Sequence, residues 1–220
     1  MALGYLELAD WRRRVAWLFA TWREASSADP AAATLAFRAE KDRLLATHPQ
    51  SPLPRDSRAK FEGLAYWPYE PTYRMAVPLE PVDSRVGPHD DPDAGAAPLA
   101  LPSSGAGAIS FRRIGRVQLT GPLEGHSLSV FWIDGYGGGL FLPFRDATNG
   151  TETYGAGRYA LDTIKSADHG GDLVTGTLVV DFNMAFHPSC AYDPRWSCPL
   201  APPENRLAPP LRVGERLRPT

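Results

Sequence analysis

The sequence predicts an α+β fold, an N-terminal helical pair packed on a mostly antiparallel β-sandwich or distorted β-barrel. Two observations carry this. Up to about residue 50 the apolar side chains recur with the 3.6-residue period of a helix. From Phe61 onward they fall instead into short alternating runs bounded by Gly and Pro, with no helices between them. Such a pattern argues for a sandwich or barrel and against a parallel α/β sheet.

Leu8, Trp11, Val15, Leu18 and Trp22 share one helical face, which predicts an amphipathic helix ending near Ser26. Arg12-Arg13-Arg14 lies off that face among acidic residues and reads as a solvated surface rather than a nucleic-acid patch. Asp29-Pro30 supplies an N-cap and a first-turn proline for a second helix, Ala31 to Thr47, with Phe37, Leu44 and Leu45 inward. His48-Pro49 stops it. The best strands are Ala108–Phe111, Val117–Leu119, Leu128–Ile133, Leu140–Leu142, Thr177–Phe182 and Leu211–Val213. Asp134-Gly135 and Gly137-Gly-Gly139 suit a hairpin between two of them. The Asp-, Pro-, Ala- and Gly-rich stretch from Pro81 to Gly107 reads as a long loop. Residues 1–50 and 51–220 are thus expected to be a helical segment and a β-rich part of one compact unit.

At 220 residues with 43% apolar and 22% charged side chains, the chain can bury a sizeable core. A formal net charge of −2 favours neither nucleic acid nor an anionic membrane as partner. No apolar run approaches the ~18 residues of a membrane span. The opening residues lack the basic start and apolar core of a signal peptide, so a cytoplasmic location is the default expectation. Asn149-Gly-Thr151 then reads as a turn rather than a glycosylation site.

Polar, turn-forming and aromatic residues concentrate between Phe141 and Leu207 more densely than a simple core requires. Within this region lie Phe144-Arg-Asp-Ala-Thr-Asn-Gly150, Thr153-Tyr-Gly-Ala-Gly-Arg-Tyr159, Asp181-Phe-Asn183, Cys190-Ala-Tyr192 and Cys198-Pro-Leu-Ala-Pro-Pro-Glu-Asn-Arg-Leu207. Upstream stand His48-Pro-Gln-Ser-Pro-Leu53 and Phe61-Glu-Gly-Leu-Ala-Tyr66. Together these blocks, spread over roughly Asp29 to Arg216, resemble the DUF1684 family. The resemblance implies a fold and a set of residues but no activity. Where family members often carry an aromatic residue followed by Asn, this chain has Phe186-His187, so a role for His187 would be particular to this protein.

No nucleotide-binding loop, GxSxG elbow or HExxH motif is present. Cys190 and Cys198, the only cysteines, admit three readings: structural thiols or a short disulfide, one reactive thiol, or a zinc site with His187 that lacks a visible fourth ligand. The structural reading is preferred, and no metal or cofactor is implied. Asp146 and Asp181 each follow an apolar strand, where a carboxylate can face a cleft and act as acid or base. Arg158 would hold a substrate carboxylate. The competing reading makes Asp146 and Arg158 a buried pair fastening two loops. Tyr154, Asn183, Tyr192, Glu204 and Asn205 would support either arrangement, and the aromatic set Tyr66, Trp67, Tyr69, Tyr73, Trp132, Tyr136 and Trp196 offers a pocket wall, with Trp67 and Trp196 beside rigid proline loops.

Three function classes follow: a small-molecule enzyme using Asp146, Arg158 and Asp181 with Cys190 assisting; a binding module for a carboxylated or polar metabolite; and an interaction protein with Pro-rich surfaces. The density of polar loop residues favours the enzyme slightly. A small-molecule ligand is the expected partner, and a homo-oligomer is left open.

Overall fold

A computed structural model describes residues 2–81, 99–105 and 109–218. Helix α1 spans Ala2–Ala25 and α2 spans Pro30–Thr47. Asp29 caps α2 as expected, its carboxylate accepting the Ala32 N–H at 2.9 Å. Phe37, Leu44 and Leu45 are buried. On α1 the buried stripe is Leu18, Phe19 and Trp22, with Trp11 and Val15 packed beside it and Leu8 at the exposed margin. This helical cluster closes over Ala167 and Met184 of the β-rich part. Arg13 and Arg14 both pair with Asp10, in keeping with a solvated face. A single-turn helix, α3, follows at Arg55–Arg58.

The rest of the described chain is short strands joined by loops and single-turn 3-10 helices: β1 Ala65–Tyr66, β2 Arg74–Pro81, β3 Leu99–Leu101, β4 Ile109–Gln118, β5 Ser127–Ile133, β6 Gly139–Phe144, β7 Arg158–Asp162, β8 Gly171–Asp172, β9 Thr177–Asp181 and β10 Glu215–Arg216. Eight of them form one antiparallel sheet in the order β7-β6-β5-β4-β2-β9-β8, with β3 added on β4. β2 pairs with β9 over residues 74–78 and with β4 over residues 79–81, so it turns the sheet's direction and curls it. β7 and β9 come into contact although they are far apart in the strand order. β1 and β10 form a separate two-stranded pair.

Three sequence expectations are corrected. The runs at Ala108–Phe111 and Val117–Leu119 are parts of one strand, β4, interrupted by a bulge between Arg113 and Gly115. Leu211–Val213 is coil, with Leu211 and Val213 buried and Arg212 exposed, because Arg158 takes the carbonyls of Leu211 and Val213. Part of the expected loop, Leu99–Leu101, is a strand on β4. Residues 82–98 and 106–107 of that loop, and residue 108 of the expected strand, lie outside the described residues.

Two clusters cover opposite faces of the sheet around β5 and β6. Leu128, Val130, Leu142 and Phe144 face a core completed by Leu207, Leu211 and Val213. Phe131, Ile133 and Phe141 face a second core with Leu101, Phe111 and Tyr159. β7 is buried along its whole length for the same reason.

Candidate functional site

Asp146 and Arg158 meet, 2.9 Å apart and without exposed side-chain surface. The Arg158 guanidinium also donates to the carbonyls of Leu211 (2.8 Å), Val213 (2.5 Å) and Glu215 (3.1 Å). Asp146 Oδ1 accepts from the N–H of Thr148 and of Leu211, at 2.8 and 3.2 Å, and from the Thr148 hydroxyl. The Trp67 and Phe144 rings lie 5.5 and 5.2 Å from the cation. Burial lowers the Arg158 pKa, and Asp146 opposes that fall. This is the fastening arrangement: it bolts the segment after Leu207 to β7.

Asp181 has other partners. Its Oδ2 meets Arg74 at 3.2 Å and the Tyr69 hydroxyl at 3.4 Å, and its Oδ1 accepts from both the backbone N–H and the side-chain amide of Asn183, each at 2.9 Å. Asn183 in turn holds Glu70, accepting its N–H at 2.8 Å and donating to its carbonyl at 2.9 Å. Asn205, wholly buried, stitches β5 to β6: it accepts from Ser129 N–H and donates to the carbonyls of Ser129 and Pro143. Glu204 is exposed beside it. Trp196 donates to the Pro52 carbonyl at 3.0 Å and stacks with Arg195.

The expected aromatic wall is dispersed. Tyr69 and Tyr73, with Pro68 and Pro210, line a cleft of about 400 Å³, whereas Trp132 and Tyr136 are exposed.

A buried polar cluster that sequence reasoning missed centres on Glu215. Its carboxylate meets Lys41 Nζ at 2.9 Å and His187 Nδ1 at 3.1 Å, and accepts from the Tyr192 hydroxyl. Burial acts to raise this carboxyl's pKa, but Lys41 and then His187 and Tyr192 overcome it and hold the group at about 2. His187 Nε2 accepts the Tyr154 N–H at 3.2 Å, which is the geometry of an Nδ1–H tautomer. Tyr66 stands nearby under Arg38, 4.4 Å from its ring, with its hydroxyl buried and unpartnered among the described residues. His187 was visible in the sequence only as a possible metal ligand. Tyr66 was visible only as one of several aromatic residues, and Lys41 and Glu215 gave no signal, since each looks like a surface residue of its own element.

This cluster forms the floor of a cleft of about 570 Å³, to which His187, Tyr192 and Glu215 contribute. Leu53, Phe61, Leu64 and Leu217 give it apolar walls, and Lys60, Arg216 and Arg218 bring positive charge. The turn at Gly63 shapes one wall. Its φ is +97°, and a Cβ there would stand 2.7 Å from Asp42 Oδ2. Arg218 is engaged by Glu62 and the Gly63 carbonyl. Arg216 differs: among the described residues its guanidinium has no hydrogen-bond or ion-pair partner, its Nε is buried unsatisfied, and its Cζ stands 5.8 Å from the Trp67 ring centroid. Its acidic neighbour Glu152 is paired with Arg212.

Cys190 and Cys198 lie together as free thiols. His187 is turned from them toward Glu215. Among the described residues no group of three or more His, Cys, Asp or Glu is arranged to hold a metal ion. Nor, among them, is any helix long and apolar enough to cross a membrane.

Among solved structures, the chain is similar to an uncharacterized protein of Haloarcula marismortui determined by solution NMR. The two are 32% identical with a TM-score of 0.53, over 83% of this chain and 91% of that one. No curated protein matches. The description "Protein of unknown function (DUF1684)" matches residues 59–216, which contain the sheet, the Asp146–Arg158 bolt and most of the Glu215 cluster, and the chain belongs to that family.

Proposed function

We propose that this protein is a binding module for a small carboxylated metabolite with an apolar body, held in the cleft above Glu215. The observation that carries it is Arg216. Arg38, Arg58, Arg74 and Arg158 all donate to carbonyls or carboxylates, whereas Arg216 lines the cleft with its guanidinium unmatched among the described residues. A half-buried cation with unmet donors is stabilised by a carboxylate of matching fork geometry. Lys60 adds a second charge, and Leu53, Phe61, Leu64 and Leu217 would receive the ligand's apolar part.

Binding is favoured over acid–base chemistry because the carboxylates of Asp146, Asp181 and Glu215 all have fixed partners. The His187 ring likewise has both nitrogens engaged. Native mass spectrometry of the purified protein, followed by calorimetric titration with the acids it identifies, tests the reading. Arg216→Gln is expected to weaken binding at least about tenfold while the unfolding midpoint stays near wild type, since a charge-assisted hydrogen bond contributes about 1.5–3 kcal/mol. Unchanged affinity in that variant would overturn the assignment.

A further inference from the structure

Helix α1 spends one face on the core, where Trp11, Val15, Leu18 and Trp22 pack into the helical cluster. A helix with no other neighbour carries polar residues on its outer side. On α1, however, Leu3, Leu6 and Trp17 are 68%, 66% and 59% exposed, and among the described residues none of them joins that cluster. With Asp10, Arg13 and Ala20 they form one line, Leu3, Leu6, Asp10, Arg13, Trp17, Ala20, whose steps alternate between three and four residues. That alternation is the seam of a coiled coil, in which a 3.5-residue period keeps one line of side chains against a partner helix. The line lies roughly 140° round the helix from the buried face, at about 100° per residue. It is a second face, separate from the first.

We propose that this face docks a second copy of the chain, α1 against α1, antiparallel about a two-fold axis. The line is complementary to its own reverse. Turned end for end about the point midway between Asp10 and Arg13, it sets Leu6 against the partner's Trp17, Leu3 against the partner's Ala20 and Asp10 against the partner's Arg13. A two-fold interface requires such self-complementarity, because the same patch serves both subunits. A parallel pairing would instead put Asp10 on Asp10 and Arg13 on Arg13, and like charges there repel.

The charges at the centre are ready for contact. Asp10 and Arg13 already pair within one chain at 2.9 Å, their side chains 34% and 73% exposed. Two copies therefore bring together four charges of zero sum, and no ion is left buried without a partner. Arg12 and Arg14 fall off the line and keep their water. Trp17 is the anchor, a large side chain of the kind that dominates protein interfaces. From Leu3 to Ala20 the seam runs only about 25 Å, so the dimer is expected to be reversible, with a dissociation constant in the micromolar range.

Sedimentation equilibrium of the full chain between about 1 and 100 μM tests this. The mass is expected to rise from that of one chain toward that of two. Trp17→Glu should weaken association at least about tenfold, with an unfolding midpoint near wild type because Trp17 lies outside the core. Orientation is read with a short bis-maleimide, the unmodified chain serving as blank. The double variant Leu6→Cys/Trp17→Cys should be cross-linked between chains, whereas Leu6→Cys alone should not, since antiparallel helices hold the two Leu6 positions about 16 Å apart. A single-chain mass at the highest concentration would overturn the proposal, and co-sedimentation of that monomer with anionic vesicles would assign the face to lipid instead. Undiminished association of Trp17→Glu, or cross-linking of Leu6→Cys alone as efficient as that of the double variant, would overturn it too. The wild-type masses decide the matter even if a variant fails to fold.

Discussion

Arg158 is a charged side chain with no exposed surface, so its place in the fold depends on having every polar neighbour in position. Arg158→Ala leaves Asp146 buried without its cation and is expected to cost about 3–5 kcal/mol, read as a lower urea midpoint. Two other buried groups set the response to acid. Burial, reinforced by Arg74 and Arg23, lowers the His169 pKa from 6.5 to about 3. The unfolded chain therefore takes up a proton as the pH falls below 6.5 that the folded chain refuses until about 3, and stability declines through that window. Glu215 acts lower down: its contribution is complete above 4.5 and is lost as the pH falls toward about 2. At about 1.4 kcal/mol per tenfold change in proton affinity, the His169 window accounts for roughly 2–3 kcal/mol between pH 6.5 and 4.5. Urea midpoints measured across that range should slope in wild type and lie nearly flat in His169→Phe.

Among the elements, those obeying one period were legible in the sequence. The helices were, because each presents a stripe to one core, and so were the strands near Leu128 and Leu140. β7 was not: both of its faces are covered, so Arg158-Tyr-Ala-Leu-Asp162 shows no alternation. β2 carries Pro78 and Pro81, which argue against a strand in any sequence reading, yet Pro78 is accommodated opposite Thr177. The bulge in β4 was equally hidden, since the sequence pattern showed one strand ending at Phe111 and another starting at Val117, with Gly115 between them. A Cβ at that position would stand 2.6 Å from the Glu80 carbonyl and 2.7 Å from Leu79 Cδ1. Gly115→Ala should therefore destabilise the chain by about 1–3 kcal/mol as the β2–β4 crossing is forced apart, a shift that thermal unfolding followed by circular dichroism would measure.

At the scale of the whole molecule, the dense region from Phe141 to Leu207 does hold specific polar contacts, but most of them fasten loops. Asp146 with Arg158, Asp181 with Asn183, and Asn205 each join segments distant in sequence. Residue type alone cannot separate such fastenings from a site, because both need buried polar groups with fixed partners. The Glu215 cluster was illegible for a different reason: it draws Lys41 from α2, His187 and Tyr192 from a loop, and Glu215 from β10, and only tertiary structure brings them together. The same long reach governs synthesis. Leu207, Leu211 and Val213 complete the main core, Arg158 waits for the carbonyls of residues 211–215, and Lys41 for a carboxylate 174 positions later. Until residue 215 has emerged, a growing chain on the ribosome lacks residues that complete the main core and the partners that Arg158 and Lys41 have in the folded state. Its cooperative fold is therefore expected to form late in translation and all at once.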